Sequence, residues 1–397
     1  MKILIVHNSY QQPGGEDVVF EQETQMLRNA GHDVITYCRS NHEIKEYSGL
    51  QRLALIPQTI WATDSRRDFA ALLDEQKPNI VHVHNTFIMI SPSIFSACEE
   101  RGIPVVHTLH NYRLLCPAGT FYRSGHVCEE CVEHSLWRSV RYGCYHDSRV
   151  TTAVVASMIA VHRGLNTWKH PSHFYIALSQ FARTKFVDAG LPADRIFVKP
   201  NFMDHDPGAP TDKDDYAVFV GRLSPEKHVN TLLKAWQKGK AHFPLIILGG
   251  GPQFHELQES ARRKGLDGVR FMGYQPRQDV IPTIRKARFL VFSSEWYENF
   301  PVTIVEAFAC GTPVICSRLG AMQEIVSDGR TGLHFNTGDV DDLAEKTDWA
   351  WTNRERMVEM GKEARREYET KYTAQINCRL LTDIYDQVLS PIPQPSR

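Results

Sequence analysis

The chain has 397 residues, of which 42% are hydrophobic and 23% are charged, and its formal net charge at pH 7 is −1. This length exceeds that of a usual single domain, so we expect two domains with ordinary cores. The near-neutral charge gives no global signal for nucleic acid, and we predict no nucleic-acid partner. The apolar run at residues 1–6 is too short for a secretory signal peptide, so we expect a cytoplasmic protein.

Short apolar runs alternate with helix-like segments along most of the chain. In the first half, the runs typical of strands are residues 2–7, 32–37, 80–84, 104–110, 174–178 and 195–201. In the second half, they are residues 216–221, 245–248, 269–272, 289–293, 314–317 and 332–335. Repeated βα units with almost continuously apolar strands indicate parallel sheets covered by helices. We therefore predict an α/β fold with two doubly wound halves.

A polar, turn-rich segment at residues 204–215 is the best candidate for a linker between these halves. We predict an N-terminal domain at residues 1–203 and a C-terminal domain at residues 204–372. Residues 373–397 contain a last helical pattern, and packing of this helix back on the N-terminal domain is one arrangement that we consider.

Two glutamates, Glu298 and Glu306, lie around the start of one helix of the second half. This helix is predicted to begin near Pro301 and to end at Gly311. Free backbone N–H groups at a helix start bind anions and hydroxyl groups. A carboxylate beside such donors accepts hydrogen bonds from sugar or ribose hydroxyls. We interpret the stretch as the centre of a site for a polyol and a phosphate.

Two loops that follow strands carry further candidate ligand groups. In the second half, Arg222 and Lys227 flank a turn, and an Arg fork with a Lys point charge suits a diphosphate. The alternative is two solvated side chains on a loop. In the first half, Gly14 and Gly15 open a helix, where the backbone can approach a phosphate or sugar closely. An ordinary turn is the alternative there.

Four histidines lie at or near the carboxyl ends of predicted parallel strands, the edge at which ligands bind in open α/β sheets. They are His82, His84, His107 and His110. Alternation along the strand places His82 and His84 on one face, where a metal pair is conceivable. Hydrogen-bonded structural histidines are the alternative. We predict that His110, the last residue of its strand, contacts the ligand.

A cysteine-rich insert is predicted at residues 111–149, within the N-terminal domain. Its cysteines follow the order C-x11-C-x2-C-x12-C and are Cys116, Cys128, Cys131 and Cys144. Four thiolates with a CxxC core suit a tetrahedral structural zinc ion. A set of reduced thiols in a polar loop is the alternative. Because the insert follows His110, we expect it to border the ligand site of the first half and not the site around Glu298 and Glu306.

Taken together and in this order, the motifs resemble those of the GT-B retaining glycosyltransferases of family 4. The resemblance covers essentially the whole chain and rests on Gly14-Gly15-Glu16, His110, Gly221-Arg222-Leu223 with Lys227, Glu298 through Glu306, and Gly311. It implies two Rossmann-like domains that face a central cleft, a UDP- or GDP-sugar as donor, and no cofactor or metal ion in catalysis. It also implies transfer with retained anomeric configuration to a saccharide or lipid-linked acceptor, in bacterial surface polysaccharide or lipopolysaccharide biosynthesis.

The resemblance also implies a role for each matching residue of the C-terminal half. Arg222 and Lys227 would neutralise the diphosphate leaving group. Glu306 would hold the ribose, and Glu298 would face the donor sugar. The loop and helix start between these glutamates would complete the donor-binding set with Asn299, Phe300, Val302 and Thr303.

In the N-terminal half, the resemblance places His110 beside the transferred sugar. Gly14 and Gly15 would approach the phosphates or the acceptor. Many relatives have Gly at the positions of Asn299 and Pro301, where this chain has a stiffer loop with one amide donor fewer. The identity of the donor sugar is therefore left open.

Other functions remain as alternatives to glycosyl transfer. Two carboxylates also flank the scissile bond in glycoside hydrolases, but a diphosphate clamp has no role there. Another GT-B enzyme, such as a phosphorylase or a nucleotide-sugar epimerase, is the closer alternative. A non-enzymatic two-lobe ligand-binding protein is the more distant one.

Two segments with apolar and basic residues allow two interpretations. They lie at residues 53–67 and 150–169. Either they pack as helices within the N-terminal domain, which we prefer, or they touch the inner face of the cytoplasmic membrane.

Overall fold

The computed structural model describes residues 1–11, 14–210 and 212–390, and its chain forms two compact units. The first unit comprises Met1–Phe121, Glu129–Pro200 and the residues from Asn377 onward. The second unit comprises Tyr122–Cys128 and Asn201–Ile376. The structure thus divides the chain close to residue 203, but it groups part of the predicted cysteine-rich insert with the second unit.

The predicted strands are confirmed to within a few residues at their ends. In chain order, the strands of the described residues are β1 (Lys2–Ser9), β2 (Asp33–Ser40), β3 (Ile80–Val83), β4 (Val105–Leu109), β5 (Tyr122–Arg123), β6 (His126–Val127), β7 (His173–Ala177), β8 (Ile196–Val198), β9 (Ala217–Val220), β10 (Leu245–Leu248), β11 (Val269–Gly273), β12 (Phe289–Phe292), β13 (Val314–Ser317) and β14 (Gly332–Phe335). Only the short β5 and β6 had no counterpart among the apolar runs, because two-residue strands leave no periodic signal.

Helices connect these strands. In chain order they are α1 (Gly15–Asn29), α2 (Gly49–Ile60), α3 (Thr63–Gln76), α4 (Ile94–Glu99), α5 (Glu130–Glu133), α6 (Trp137–Tyr142), α7 (Arg149–Gly164), α8 (Gln180–Asp188), α9 (Val229–Lys238), α10 (Phe254–Arg263), α11 (Arg277–Lys286), α12 (Val302–Ala309), α13 (Gly320–Ile325), α14 (Val340–Thr352), α15 (Arg354–Lys371) and α16 (Ala374–Leu389). Within the described part of the chain, none of them combines the length and the apolar character that a bilayer span requires.

Six described strands of the first unit form a parallel sheet in the order β2-β1-β3-β4-β7-β8. Central strands are apolar along their length because helices cover both faces, and Ile3, Leu4 and Ile5 are fully buried. The chain leaves β1 for one neighbour, β2, and returns to the other, β3. The strand order therefore reverses beside β1, which is where open α/β sheets bind ligands at their carboxyl ends.

Six described strands of the second unit form another parallel sheet, in the order β11-β10-β9-β12-β13-β14. This is the Rossmann order, in which the reversal lies between the first and fourth strands of the unit, here β9 and β12. Ala217 of β9 pairs with both Leu245 and Phe289, which fixes the centre of the sheet. The loops after β9 and β12 are therefore expected to meet at the ligand-binding edge.

The last helix, α16, packs on the first unit with its residues from Asn377 onward. The hydroxyl of Tyr385 lies 2.6 Å from Nδ1 of His82 on β3, in a buried position. Asn377 Nδ2 donates to the carbonyl of Pro200 at 2.7 Å. Most of α16 thus belongs to the first unit, although all other residues of that unit come before position 201. Residues 391–397 lie outside the described chain.

Candidate functional site

A lysine–glutamate pair lies where the strand order of the second sheet reverses. Lys227, in the loop after β9, donates from Nζ to Oε1 of Glu298, in the loop after β12, at 2.5 Å. The same carboxylate oxygen also accepts from Ser294 Oγ and Trp296 Nε1, each at 2.7 Å. The Lys227 and Glu298 side chains are only 15% and 8% exposed. The structure therefore brings together these two predicted residues.

Backbone contacts fasten the two loops to each other. Ser293 Oγ donates to the carbonyl of Lys227 at 2.9 Å, and the amide of Glu295 donates to the carbonyl of Glu226 at 3.1 Å. Because these contacts involve main-chain atoms, the position of the lysine relative to the glutamate is set by the fold. Such fixed placement of a charged group is what a preorganised anion site requires.

His228, directly after the lysine, has a left-handed backbone with φ of 47°. A residue with a side chain adopts this conformation at a cost, which the surroundings must offset. Its Nδ1 lies 3.1 Å from Oε1 of Glu295, and its Nε2 lies 2.8 Å from the hydroxyl of Tyr122 on β5. The β5–β6 hairpin thus supports the loop that carries Lys227. Sequence reasoning missed this contact, because 106 positions separate its two residues.

Helix α12 begins at Val302, with Pro301 in the preceding cap position. The cap residue is a proline, so no side chain of its own binds the first-turn amides. The amides of Val302 and Thr303, which were assigned to the donor from the sequence, lie in this first turn, where an anion can bind. The buried side chain of Phe300 instead packs edge-on against Tyr372, so only its backbone can serve a ligand.

Glu306 lies in the second turn of α12 and is almost fully buried. Its Oε1 accepts from Nε of Arg277 at 3.1 Å, and Nη1 of Arg277 also lies 3.4 Å from Oδ1 of Asp204. Burial raises the pKa of Glu306, although Arg277 acts to lower it. Nη2 of Arg277 is buried without a hydrogen-bond partner in the described chain, so a donor is left for a ligand oxygen. Sequence reasoning missed this arginine, although its place after β11 was a usable signal.

Two glycines after β10 lie in close contact with the backbone of the loop that carries Arg222. A Cβ at Gly249 would lie 1.9 Å from the carbonyl oxygen of Gly221, and one at Gly251 would lie 2.4 Å from that of Leu223. Both glycines also have positive φ, so no other residue fits there. Arg222 itself is exposed on this supported loop. Sequence reasoning missed these glycines too, although three in a row after an apolar strand are a recognisable signal.

The groups at this edge of the second sheet complement a nucleoside diphosphate. Lys227, Arg222 and the uncapped amides of α12 favour negative charge. Glu306, together with Arg277, offers both an acceptor and a donor to hydroxyl groups. The edge can therefore bind a phosphate chain and a sugar ring side by side.

In the first unit, Gly14 and Gly15 lie at the start of α1, after β1. The Gly14 amide donates to Oδ2 of Asp17 at 2.8 Å, and Oδ1 of Asp17 lies 2.9 Å from Nε2 of His7. Burial raises the pKa of Asp17, but the bonds from His7 and Gly14 outweigh it and lower the pKa overall. No described atom would lie within 4 Å of a Cβ at Gly15, so this position is open to an approaching ligand. Residues 12 and 13 of the motif lie outside the described residues.

Glu16, the third residue of that motif, is a second unusual carboxyl group. Burial raises its pKa to about 8, helped by the charge of Asp17. Its Oε2 is within 3.4 Å of Asn111 Nδ2 and 3.5 Å of the Tyr10 hydroxyl. Its Oε1 is buried and has no hydrogen-bond partner among the described residues. A carboxyl group that titrates near neutral pH is typical of functional sites.

His110 is the first of a series of polar side chains that contact one another at the carboxyl edge of the first sheet. Its Nε2 lies 3.0 Å from Nδ1 of His84, whose Nε2 faces Oε2 of Glu23 at 3.5 Å. The other Glu23 oxygen accepts from Nζ of Lys199 at 2.5 Å, and both of these side chains have no exposure. Burial holds the pKa of His84 and His110 well below the usual range, so both rings are neutral.

One hydrogen bond joins the rings of His84 and His110. Either ring can donate it, because His84 Nε2 and Glu23 Oε2 make no hydrogen bond among the described residues. This bond uses Nε2 of His110 and leaves its Nδ1 for a hydroxyl group, which can donate to or accept from a neutral ring.

For His82 and His84, the structure favours hydrogen-bonded structural histidines over a metal-binding pair. Their ligand atoms and those of Glu23 lie within 4.8 Å of one another. However, both ring nitrogens of His82 are engaged, Nδ1 with Tyr385 and Nε2 with Thr108 at 2.7 Å. The ammonium group of Lys199 already provides the positive charge that a metal ion would bring. His107, also buried, has its pKa lowered to about 3 by burial.

The four cysteines are not gathered around a preformed centre. Cys116 is buried and Cys131 and Cys144 are half-buried in the first unit, whereas Cys128 belongs to the second. Zinc–sulfur bonds of about 2.3 Å would hold the sulfurs about 3.8 Å apart. Within the described residues, no group with metal-ligand spacing includes a cysteine. The structural zinc ion stays a prediction.

Two Rossmann-like domains in one chain, each with a six-stranded parallel sheet, define the fold class of this protein, which is that of the GT-B glycosyltransferases. Family models give the same answer independently. The model described as Glycosyltransferase Family 4 matches residues 13–207, and the one described as Glycosyl transferases group 1 matches residues 203–367. The chain belongs to the group 1 glycosyltransferases, and the resemblance found in its motifs is confirmed.

Curated relatives carry glycosyltransferase names. O-antigen chain mannosyltransferase B of Escherichia coli is 29% identical over 207 residues, which cover 47% of this chain and 52% of that protein. D-inositol 3-phosphate glycosyltransferase of Corynebacterium kroppenstedtii is 24% identical over 364 residues, covering 87% and 75%. The chain spans about half the length of the first curated relatives that it matches.

Solved structures share the fold across the whole chain. HepE of Anabaena, crystallised with UDP, has a TM-score of 0.72 at 18% identity and covers 98% of this chain and 100% of its own. The lipopolysaccharide glycosyltransferase WaaG has a TM-score of 0.64 at 16% identity, covering 97% and 99%. At these identities the likeness establishes the fold, and the predicted fold is confirmed.

Proposed function

We propose that the protein is a retaining glycosyltransferase that moves a sugar from a nucleotide-diphospho-sugar to a saccharide or lipid-linked acceptor. We place the reaction in bacterial surface polysaccharide or lipopolysaccharide biosynthesis, because relatives include an O-antigen mannosyltransferase and a D-rhamnosyltransferase of Pseudomonas aeruginosa. One observation carries the proposal. The Lys227–Glu298 pair lies at the uncapped start of α12, with the buried Glu306 one turn behind.

The donor binds to the second unit in this proposal. Lys227, Arg222 and the first amides of α12 take the diphosphate, and Glu306 with Arg277 takes the ribose. A diphosphate competes with Glu298 for the ammonium group of Lys227. The carboxylate that is released can accept a hydroxyl group of the donor sugar. Structural neighbours were crystallised with UDP and UDP-glucose, and both UDP- and GDP-sugars remain candidates.

The chemical step follows from these charges. The acceptor oxygen forms a bond to the anomeric carbon on the face from which the diphosphate leaves, and the bond from that carbon to the phosphate oxygen breaks. The acceptor proton passes to the departing phosphate. Lys227 and Arg222 stabilise the charge that develops there, and they do so without a metal ion in the proposal. His110 forms a hydrogen bond with the transferred sugar through Nδ1.

A peripheral contact with the cytoplasmic face of the membrane is part of the proposal. Helices α2 and α6 each pack on α7 in the first unit. They carry the exposed apolar side chains Leu53, Ile56, Trp137, Tyr142, Val150 and Val161. Exposed arginines on α6 and α7 would attract anionic lipids. Packing within the unit also occurs, since Trp61 stacks on His162 at 5.8 Å. Sedimentation with anionic liposomes tests this contact, and protein that stays wholly in the supernatant contradicts it.

A panel of UDP- and GDP-sugars, each incubated with the protein and candidate acceptors, tests the reaction. We expect release of the nucleoside diphosphate with one donor, and an α-linked product from an α-linked donor by NMR. The Lys227→Ala variant should lose the release, whereas Lys238→Ala, an exposed lysine of the same unit, should keep it.

Other products would identify the alternatives. A sugar 1-phosphate formed from a glycan and phosphate would indicate a phosphorylase. A nucleotide sugar with inverted ring stereochemistry would indicate an epimerase. Tight binding without turnover of any donor would indicate a ligand-binding protein.

A further inference from the structure

Three side chains with metal-binding atoms gather at the amino-end edge of the first sheet. They are Glu99, the last residue of α4, together with His170 and His173, and their ligand atoms all lie within 4.8 Å of one another. His173 begins β7, whereas His110 follows the end of β4. The cluster therefore lies at the opposite edge of the sheet from the histidine assigned to the sugar.

The tautomer of His173 is fixed by the backbone. Its Nδ1 lies 2.6 Å from the carbonyl oxygen of Thr167, which only accepts, so Nδ1 carries the proton. Its Nε2 is buried and has no hydrogen-bond partner within the described residues. The side chain of His173 is 1% exposed, and Nε2 faces Oε1 of Glu99 at 3.4 Å. A neutral ring and a carboxylate thus direct lone pairs at each other, which is unfavourable unless a proton or a cation lies between them.

The separation of these two atoms favours a cation. A charged hydrogen bond between nitrogen and oxygen is about 2.7–2.9 Å long, shorter than the observed contact. Two ligands about 2.0–2.1 Å from one tetrahedral zinc ion are about 3.4 Å apart, which matches it.

His170 can supply the third ligand. Its Nδ1 lies 2.7 Å from Ser172 Oγ and also accepts a longer, 3.3 Å hydrogen bond from the Ser172 amide. In the tautomer protonated on Nδ1, the hydroxyl group accepts the shorter bond, the amide contact is given up, and Nε2 is left for the metal ion. The Thr167 carbonyl and the Ser172 hydroxyl are the outer partners that metal-bound histidines usually have. Arg195 binds the carbonyls of Lys169 and His170 and so holds this loop in place, although its charge opposes a second cation nearby.

We propose that Glu99, His170 and His173 bind one zinc ion, with a water molecule as the fourth ligand. The ion would join the end of α4 to the start of β7 and so stabilise the first unit. Glu99 and His170 are partly exposed, which gives the ion a path from solvent. This site is independent of the proposed glycosyl transfer.

Competition between the chelator-treated full-length protein and a chromophoric zinc chelator tests the proposal. We expect one bound equivalent per chain that alkylation of the cysteine thiols leaves in place. Glu99→Gln and His170→Ala should weaken binding by more than the roughly 10- to 100-fold that loss of an outer partner costs. The matched control is Glu100→Gln, the neighbouring exposed carboxylate, which should bind zinc as the unchanged protein does. Binding that is absent, or that survives both ligand variants, overturns the proposal.

Cobalt substitution separates this site from the cysteines. Cobalt bound by Glu99, His170 and His173 should lack thiolate charge-transfer absorption, and alkylation of the thiols should leave one equivalent in place. Loss of all bound cobalt on alkylation, together with intense thiolate bands before it, would overturn the assignment in favour of the cysteine segment. Nitrogen NMR of His173 in zinc-loaded protein provides a further check, because a ring protonated on both nitrogens would contradict metal ligation.

Discussion

Each of the two units contains a lysine–glutamate ion pair near the carboxyl ends of its strands. The distance between the nitrogen and the carboxylate oxygen is the same in both pairs. Lys199 and Glu23 are 2.5 Å apart in the first unit, and Lys227 and Glu298 are 2.5 Å apart in the second. Both side chains of the first pair are fully buried, whereas those of the second retain exposures of 15% and 8%. The chemistry of the pairs is the same, and only their surroundings differ.

These surroundings give the pairs different roles. Lys199 also donates to Asn377 Oδ1 at 2.9 Å, so packed protein encloses it and no solute can reach it. Lys227 instead lies beside an uncapped helix start, where an anion can take it over from Glu298. Access from solvent, and not the identity of the residues, therefore separates the structural ion pair from the exchangeable one.

The largest effect is expected when the buried pair is broken. Lys199→Met leaves Glu23 as an uncompensated buried charge, which should lower the free energy of unfolding by about 3–5 kcal/mol. Urea unfolding measures this loss. The double variant with Glu23→Gln should recover most of it, because no unpaired charge then remains. A single variant within about 1 kcal/mol of the unchanged protein would remove the contrast between the pairs.

Breaking the exchangeable pair should act on turnover instead. Lys227→Ala removes charge stabilisation from the leaving phosphate, so turnover should fall roughly 10²- to 10³-fold. Stability should change less than in Lys199→Met, because Ser294 and Trp296 still bind Glu298. Nucleotide-release kinetics and urea unfolding of the same preparation measure both. Turnover close to that of the unchanged protein would argue against the phosphate role.

A smaller effect is expected behind the exchangeable pair. Glu306→Ala removes the acceptor assigned to the ribose and the partner of Arg277. Loss of one charged hydrogen-bonding partner costs about 1.5–3 kcal/mol, so kcat/KM for the donor should fall roughly 10- to 100-fold. An equal fall with a donor analogue that lacks the ribose hydroxyls would contradict this assignment.

The pH dependence of stability tests the carboxyl group beside Gly15. Burial raises the pKa of Glu16 to about 8, so folding favours its protonated form. Its contribution to stability is fully present below the unfolded-state pKa of about 4.3 and is lost as the pH rises through about 8. Glu16→Gln stays neutral and should therefore become more stable than the unchanged protein at pH 8–9, by urea unfolding. Glu21→Gln, on the exposed face of the same helix, should not reproduce this gain.

The smallest effect is expected at Pro301. Pro301→Gly adds one amide donor beside the start of α12 and loosens the loop. The loop entropy should lower stability by about 0.4–1 kcal/mol. The ratio of kcat/KM for two nucleotide sugars should change, because the added backbone N–H group would face the bound nucleotide sugar. An unchanged ratio would show that donor choice depends on other groups.

The strands and the residues at their ends were predictable because their signals are local. An apolar run reports the burial of its own segment, and the edge of a parallel sheet then places Lys227, Glu298 and His110. Lys199 carried no such signal, since nothing in the sequence around it indicates that its partner, Glu23, lies on α1. Tyr122 was missed for the same reason, because tertiary packing supplies its partner, His228. Arg277 differs, since its place after β11 was a usable signal.

The place of α16 has a consequence for synthesis of the chain on the ribosome. The second unit contains no residue after Ile376, so all of its residues have been translated once Ile376 has emerged. The first unit, although translated first, still lacks Asn377 beside Lys199 and Tyr385 beside His82. Lys199 and His82 therefore gain these hydrogen-bond partners only when α16 has been synthesised. The unit that starts first is the one that matures last, and a truncation before Asn377 should release a folded second unit beside an unfinished first.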